Sequence, residues 1–475
     1  LISLWLTSVL PELFLVFAGG LLVLLDAFLP RLRPALAWLA LATVLGALGL
    51  RWILPAPGPV WEGMLLVDEL GRFVDSYILL AAALALFMAD PYLERTKSRY
   101  GEFFGLLLWA AVGAMTMAKA NHLLVVFVGL ELLSVVLYVL NAFHRDSILS
   151  LEAGWKYLVV GAFSSAVFVF GAALLYGAAS TFSLGELASG INQGWLVVLG
   201  LGLLASALAF KLALFPFHAW APDVYQGSPT PVTAFLSVVP KGAALVVLAR
   251  LVATVNPQTL TPRWTSVLAS LAVGSMVLGN LAAIAQRDLK RMLAYSGIAH
   301  MGYALVGLVA FGPDGLAAVL VYLAAYTFMN IAAFAAVAAF SENEEEPHLI
   351  NDLAGQGWER PTVAFALSVA MFALAGIPPT VGFVGKFLAF RAAVNMNMVW
   401  LAVVGVLTSL VSVFYYVRVV YYLYMKPLPK RKPAFSEPWA IRLLAALCLA
   451  GMVVLGVFPK TLLELAEGAA AILVR

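Results

Sequence analysis

Charge is scarce in this sequence, and sulfur chemistry is nearly missing. Only 11% of its 475 residues are Asp, Glu, Lys or Arg, against about 25% in soluble domains. The single cysteine, Cys448, excludes an intrachain disulfide and any iron–sulfur cluster held by this chain's own thiolates. No H-E-x-x-H motif, P-loop or cysteine pair occurs, so neither a metal site nor a redox centre is expected here. The one dinucleotide-like match, GLGLLA at 200–205, lies inside an apolar run with no strand before it and is set aside. A cleavable targeting peptide is not expected: the first 30 residues carry no Lys or Arg, and their apolar part holds Glu12 and Asp26. The net charge of +3 is too small to suggest nucleic-acid binding.

What the chain does have is hydrophobicity. It is 63% apolar with a mean hydropathy of +0.98, the composition of an integral membrane protein. A spanning helix needs about 20 mostly apolar residues. Fourteen segments meet that measure, at about 5–28, 36–54, 74–91, 103–118, 121–141, 154–177, 194–218, 229–253, 264–285, 294–312, 315–340, 361–390, 397–424 and 438–459. Runs such as LLLWAAVGAMTM are apolar on every face, which excludes the alternating strands of a membrane barrel. Helices remain, because they satisfy their own backbone in lipid.

With the N-terminus outside, the cytoplasmic loops hold 15 of the 28 basic residues and the opposite loops 8. The positive-inside bias therefore places both termini on the outer side. Five basic residues remain: Lys211, Lys241, Lys386, Arg418 and Arg442. Arg442 lies near a helix end and can snorkel; Arg418 is expected to snorkel or pair locally. The three lysines lie deeper.

Two of those lysines stand beside helix breakers. Segment 7 reads FKLALFPFHAW, with Pro216 shortly after Lys211, and segment 12 reads AGIPPTVGFVGKF, with Pro378 and Pro379 shortly before Lys386. Proline inside a membrane helix frees a carbonyl, which is tolerated only where protein or water replaces the lost bond. The two lysines are 175 residues apart, and segments 4–8 precede segments 9–13 by roughly 160–175. A five-helix unit repeated with an odd offset is inverted in the membrane, and paired broken helices mark a transport site between the units. The expected architecture is an all-α polytopic membrane protein of fourteen transmembrane helices, with two inverted five-helix repeats (helices 4–8 and 9–13) and helices 7 and 12 broken. The corresponding units are 1–102, 103–254, 255–425 and 426–475.

Glu131 sits near the centre of VVFVGLELLSVVLYV. A charge at mid-bilayer costs about 2.5–3.5 kcal/mol even on the lenient scale, so Glu131, Lys211, Lys241 and Lys386 would together cost on the order of 10 kcal/mol unpaired. Such residues mark ion pathways. A carboxylate beside a lysine holds its proton in place, and separating the two lets desolvation release it. The alternative is a static ion pair that only fixes structure. His218 and His300 suit a relay between lysines, because histidine titrates near neutrality. Glu152 and Lys156 form an i,i+4 pair that reads equally as a surface ion pair or as part of an uptake path. His122, His144 and His348, at helix ends or in loops, are assigned no role.

These motifs resemble a known family, the antiporter-like membrane subunits of respiratory NADH:quinone oxidoreductase (complex I). The resemblance is carried by GLELLSVVLYVL at 129–140, EAGWKYLVVGAFSSAVFVFGAALLYG at 152–177, FKLALFPFHAWAPDVYQGSPTPVTAFLSVVPK at 210–241, QRDLKRMLAYSGIAHMGY at 286–303 and LAGIPPTVGFVGKF at 374–387. The DVYQGSPTPV block points to the N-type branch rather than the L and M types. The resemblance implies proton translocation through a central row of buried residues, coupled to quinone reduction elsewhere in the complex. It assigns Glu131, Lys211, Lys241 and Lys386 to translocation, and His218 and His300 to relay positions. It implies no cofactor in this chain, with FMN, iron–sulfur clusters and quinone in other subunits. The implied partners are the M-type subunit, the small K-, J- and A-type subunits and the lateral helix of the L-type subunit, in a prokaryotic plasma (inner) membrane. Competing expectations are a subunit of a multisubunit cation/proton antiporter or membrane-bound hydrogenase, and a membrane assembly scaffold.

Overall fold

The computed structural model describes residues 6–190, 194–254, 262–340, 349–428 and 438–474. The chain is a polytopic membrane protein, nearly all helical. Thirteen described helices are long and apolar enough to cross a membrane. Eleven come first: α1 (Leu10–Phe28), α2 (Arg33–Ile53), α3 (Glu69–Arg95), α4 (Gly101–Lys119), α5 (Leu123–Asn141), α6 (Ile148–Ala179), α7 (Trp195–Leu212), α8 (Thr230–Thr254), α9 (Pro262–Ala285), α10 (Leu289–Val309) and α11 (Pro313–Phe340). Two shorter helices follow, α12 (Pro361–Ala375) and α13 (Val381–Asn395), then α14 (Val399–Met425) and α15 (Trp439–Val457), which complete the thirteen.

Local chemistry sets several helix starts. The side chains of Asp68, Ser147 and Asp288 accept from the backbone of Gly71, Ser150 and Arg291, capping α3, α6 and α10. Helices α8, α10 and α11 are almost wholly enclosed, whereas α1, α2, α14 and α15 present most of their apolar surface outward, where lipid or a neighbouring chain can cover it. Any polar group at the middle of the bundle is therefore cut off from bulk water.

Both expected interruptions are present. Helix α7 ends at Leu212, the chain runs without helix through Ala213–Trp220, and a short helix follows at Ala221–Gly227. The freed backbone is satisfied locally: Trp220 Nε1 donates to Phe210 O at 3.1 Å, and Phe215 N donates to Ser275 Oγ of α9 at 2.9 Å. The second break separates α12 from α13. Gly376 turns the chain there with φ +86°, a left-handed conformation that suits glycine. What the sequence presents as one segment, 361–390, is thus two helices of 15 residues each.

Several elements lie outside the sequence expectation, a hairpin and a C-terminal helix among them. Residues Gly58–Val60 and Leu65–Val67 pair as a short antiparallel hairpin between α2 and α3. The C-terminal tail contains a further helix, α16 (Lys460–Val474), which packs on α11 and α3. Its 15 residues are too few to span, and Glu464 and Glu467 interrupt the apolar run, so it was legible only as a tail.

Candidate functional site

The broken stretch places Lys211 in the last turn of α7, 2% exposed. Its ammonium donates to Ser134 Oγ of α5 at 2.7 Å and lies 3.5 Å from Tyr157 Oη of α6. It also sits 5.0 Å above the Tyr157 ring. Ser134 in turn donates to the carbonyl of Leu130. Glu131 is half-buried and accepts from Ser165 of α6. It faces a groove of about 550 Å³ lined by Phe127, Ala162, Ala166 and Phe170. The expected Glu131–Lys211 ion pair is not in contact in this structure. Each partner is held by its own serine, an open arrangement that local sequence could not show.

Lys241, at 1% exposure, lies in the middle of α8 just after Pro240. Its ammonium makes no hydrogen bond among the described residues and sits 5.4 Å above the Tyr225 ring. The hydroxyls of Tyr225 and Tyr326 nearby are also buried without a partner among the described residues. His300 of α10 is 1% exposed and is bracketed by phenols: Nδ1 pairs with Tyr322 Oη at 2.7 Å and Nε2 with Tyr416 Oη at 3.1 Å. Tyr416 continues to Ser296 Oγ at 2.5 Å.

Lys386, 4% exposed, lies on the far side of its break from α12. Its ammonium donates to Leu374 O at 2.9 Å, Ala375 O at 3.0 Å and Ser409 Oγ at 2.8 Å. A cation on the last carbonyls of a helix is where the helix dipole favours it. The ammonium also sits 4.7 Å above Tyr303, whose hydroxyl accepts from Asn280 Nδ2 at 2.9 Å.

His218 stands apart. It lies half-buried in the non-helical stretch, with its ring centre 5.8 Å from that of Phe215, and no hydrogen bond joins it to any of the three lysines. Glu152 and Lys156 do meet, at 2.6 Å, and Lys156 also meets Asp223 at 2.5 Å. Arg291 of α10 reaches the other oxygen of Asp223 at 2.6 Å and Gln226 Oε1 at 3.0 Å. The DVYQG stretch therefore ties α6 to α10 beneath the first break. Arg418 donates across to Ile284 O at 2.9 Å and Gln286 O at 2.7 Å rather than pairing within its own segment.

One buried charge cluster escaped the sequence reading. Lys119, at the end of α4, is 1% exposed and lies between Glu12 of α1 and Asp75 of α3, with Asp75 at 2.6 Å. Asp75 also meets Arg51 of α2 at 2.8 Å. Lys119 and Arg51 stand at the ends of apolar runs and counted as loop charges; their partners come from distant parts of the chain.

Interrupted membrane helices flanking a row of enclosed lysines, a histidine and phenols define an antiporter-like polytopic membrane protein. Residues 120–412 match the family described as NADH:quinone oxidoreductase/Mrp antiporter, transmembrane. The chain is 40% identical over 472 residues to NADH-quinone oxidoreductase subunit N of Trichlorobacter lovleyi, covering 98% of this chain and 96% of that one. It is 41% identical over 433 residues to the subunit N of Rhodospirillum rubrum, covering 89% and 88%. Among solved structures it resembles a chain of respiratory complex I from Thermus thermophilus with bound aureothin, at 35% identity and a TM-score of 0.83, covering 96% and 99%. The fold is also that of a chain in the Mrp complex from Dietzia, at 22% identity and a TM-score of 0.85, covering 99% and 98%. This chain belongs to the subunit N family of NADH-quinone oxidoreductase.

Proposed function

We propose that this chain moves protons across the membrane within an NADH:quinone oxidoreductase, through Glu131, Lys211, Lys241 and Lys386, with His300 between the last two lysines. The observation that carries this reading is the environment of the three lysines. All are enclosed in the bundle, and none touches a carboxylate among the described residues. An ammonium kept in a membrane interior without a counter-charge is expensive and marks a pathway. Moving Glu131 toward Lys211 would hold its proton; moving it away, as here, would favour release toward Lys241. Glu152 and Lys156 are assigned to the uptake side, and His218 to an accessory position near the first break. Redox chemistry, with FMN, iron–sulfur clusters and quinone, belongs to other subunits of the complex.

The fourteenth crossing in this reading is the α12–α13 pair, and helices 4–8 and 9–13 form the two inverted repeats, within units 1–102, 103–254, 255–425 and 426–475. Support comes from the two breaks, each carrying a buried lysine. Both termini lie on the outer side of a prokaryotic plasma membrane, on the strength of the basic-residue count. The outward apolar faces fit neighbouring membrane subunits: the M type, the small K, J and A types and the lateral helix of the L type.

The test is to purify the tagged chain in mild detergent and assay flavin, iron–sulfur signals and NADH:quinone activity. Their co-purification is expected. Recovery with only small membrane subunits would favour a cation/proton antiporter instead. In the intact complex, Lys211→Ala is expected to abolish most proton pumping while sparing assembly; normal coupled pumping would remove the relay.

A further inference from the structure

Between Lys241 and His300 the row has a gap that neither residue spans by a hydrogen bond, and one glycine stands in it. Gly297 lies on α10 three residues before His300, so both face the same side of that helix. A methyl group added at Gly297 would lie 2.8 Å from Lys241 Nζ and 2.8 Å from Tyr326 Oη. Carbon cannot sit that close to either group, so both would have to move.

This environment differs from that of the glycines at which two helices pack backbone to backbone. A methyl at Gly113 or Gly129 would strike the backbone of the facing helix at 2.6 Å, and one at Gly279 or Gly302 would strike backbone at 2.7 or 2.8 Å. Those glycines let helices approach. At Gly297 the only close atoms are the free ends of two side chains, and both ends are buried polar atoms without a hydrogen-bond partner. Buried polar groups left unpaired are costly, so two orphans meeting at one notch require a reason. Twice the 2.8 Å distance bounds their separation, within the swing of a lysine side chain. The ring of Tyr326 also packs on His300, with centres 5.3 Å apart.

We propose that Tyr326 and Gly297 are positioning residues for Lys241. Tyr326 supplies the hydroxyl that orients the Lys241 ammonium toward His300, and Gly297 keeps the space through which the ammonium reaches it. The inference rests on the proton-row reading above and adds two residues to it. The facing group is Tyr225, whose ring lies under the ammonium; one turn earlier on α8, Ser237 accepts from Asn330 of α11 at 2.5 Å. No carboxylate contacts Lys241 Nζ from any side among the described residues.

The test uses the whole complex in sealed membrane vesicles with three variants: Tyr326→Phe, Gly297→Ala and Lys241→Met. Tyr326→Phe removes only the hydroxyl and keeps the ring on His300. The readouts are protons moved per NADH oxidised, the pH profile of pumping, and NADH oxidation with an artificial acceptor as a measure of assembly. Tyr326→Phe and Gly297→Ala are each expected to slow pumping about tenfold and to shift its pH profile, at wild-type assembly. The double variant should be no worse than either single one, since both act on one step. Wild-type pumping with an unshifted profile in Tyr326→Phe would overturn the inference. If Lys241→Met pumps normally, the proton-row reading itself fails; if Lys241→Met is inactive while Tyr326→Phe is normal, only this inference fails. Should Gly297→Ala fail to assemble, Tyr326→Phe decides alone.

Discussion

Lys119 and Lys241 are equally buried, each 1% exposed, yet they are built into the bundle in opposite ways. Lys119 is clasped by Glu12 and Asp75, with Arg51 behind Asp75, so two cations face two carboxylates across four helices. Among the described residues, Lys241 has no hydrogen-bonding partner, and Lys211 and Lys386 are held by hydroxyls, carbonyls and ring faces. If the proposed function holds, burial alone does not separate a structural lysine from a carrier. The counter-charge does. A lysine locked between carboxylates can lose its proton only by stranding two buried anions, whereas an uncompensated one gives it up with less loss.

The sharpest break of this comparison is Lys241→Met. It removes an unpaired ammonium and keeps the apolar stem, so thermal stability of the complex should hold or rise. Pumping should fall by about 100-fold or more, the range attached to a positioned proton-transfer group. Proton uptake into vesicles beside a melting curve measures both. A large loss of stability with normal pumping per complex would place Lys241 in the structural class with Lys119.

The mirror experiment is Lys119→Met. It strands Glu12 in an apolar interior and leaves Asp75 to Arg51 alone, and breaking a buried pair typically costs about 3–5 kcal/mol. The expected result is poor recovery of assembled complex, with pumping per assembled complex close to wild type. A defect confined to pumping would mean the N-terminal cluster titrates during turnover.

Ser165→Ala probes the middle of the scale. Ser165 donates to the Glu131 carboxylate, and a hydrogen bond to a charged group is worth about 1.5–3 kcal/mol. Without it, Glu131 should close on Lys211, retaining the proton and slowing pumping, with stability changed by no more than that amount. Faster or unchanged pumping would show that Ser165 does not compete for Glu131.

The breaks were legible because their causes are local: Pro216, Gly376, Pro378 and Pro379 sit at the interruptions themselves. The deep lysines were legible because charge is so rare in an apolar run. The lysines nevertheless occupy different registers. Lys211 precedes its break and Lys386 follows it, so matching one lysine to the other by spacing concealed that only Lys386 caps freed helix carbonyls. The Lys119 cluster was not legible, since its partners lie 107 and 44 residues away and hydropathy reads only where an apolar run stops. Tyr322 and Tyr416 were missed for a related reason. A tyrosine in an apolar run reads as bulk, and only the fold shows its hydroxyl meeting His300.

The smallest expected effect belongs to Lys156, and it settles a question that sequence left even. Lys156 is more than a third exposed and shares Glu152 and Asp223, so as an ion pair it is worth about 0–1 kcal/mol. Asp223 keeps Arg291 when Lys156 is removed, so the short helix after the break should stay docked to α10. Lys156→Ala should therefore leave the melting temperature almost unmoved. A measurable fall in pumping under those conditions assigns the residue to the uptake side, because a mere brace has nothing else to lose. Unchanged pumping would return the Glu152–Lys156 pair to the surface, and the path from the cytoplasm to Lys211 would have to start elsewhere.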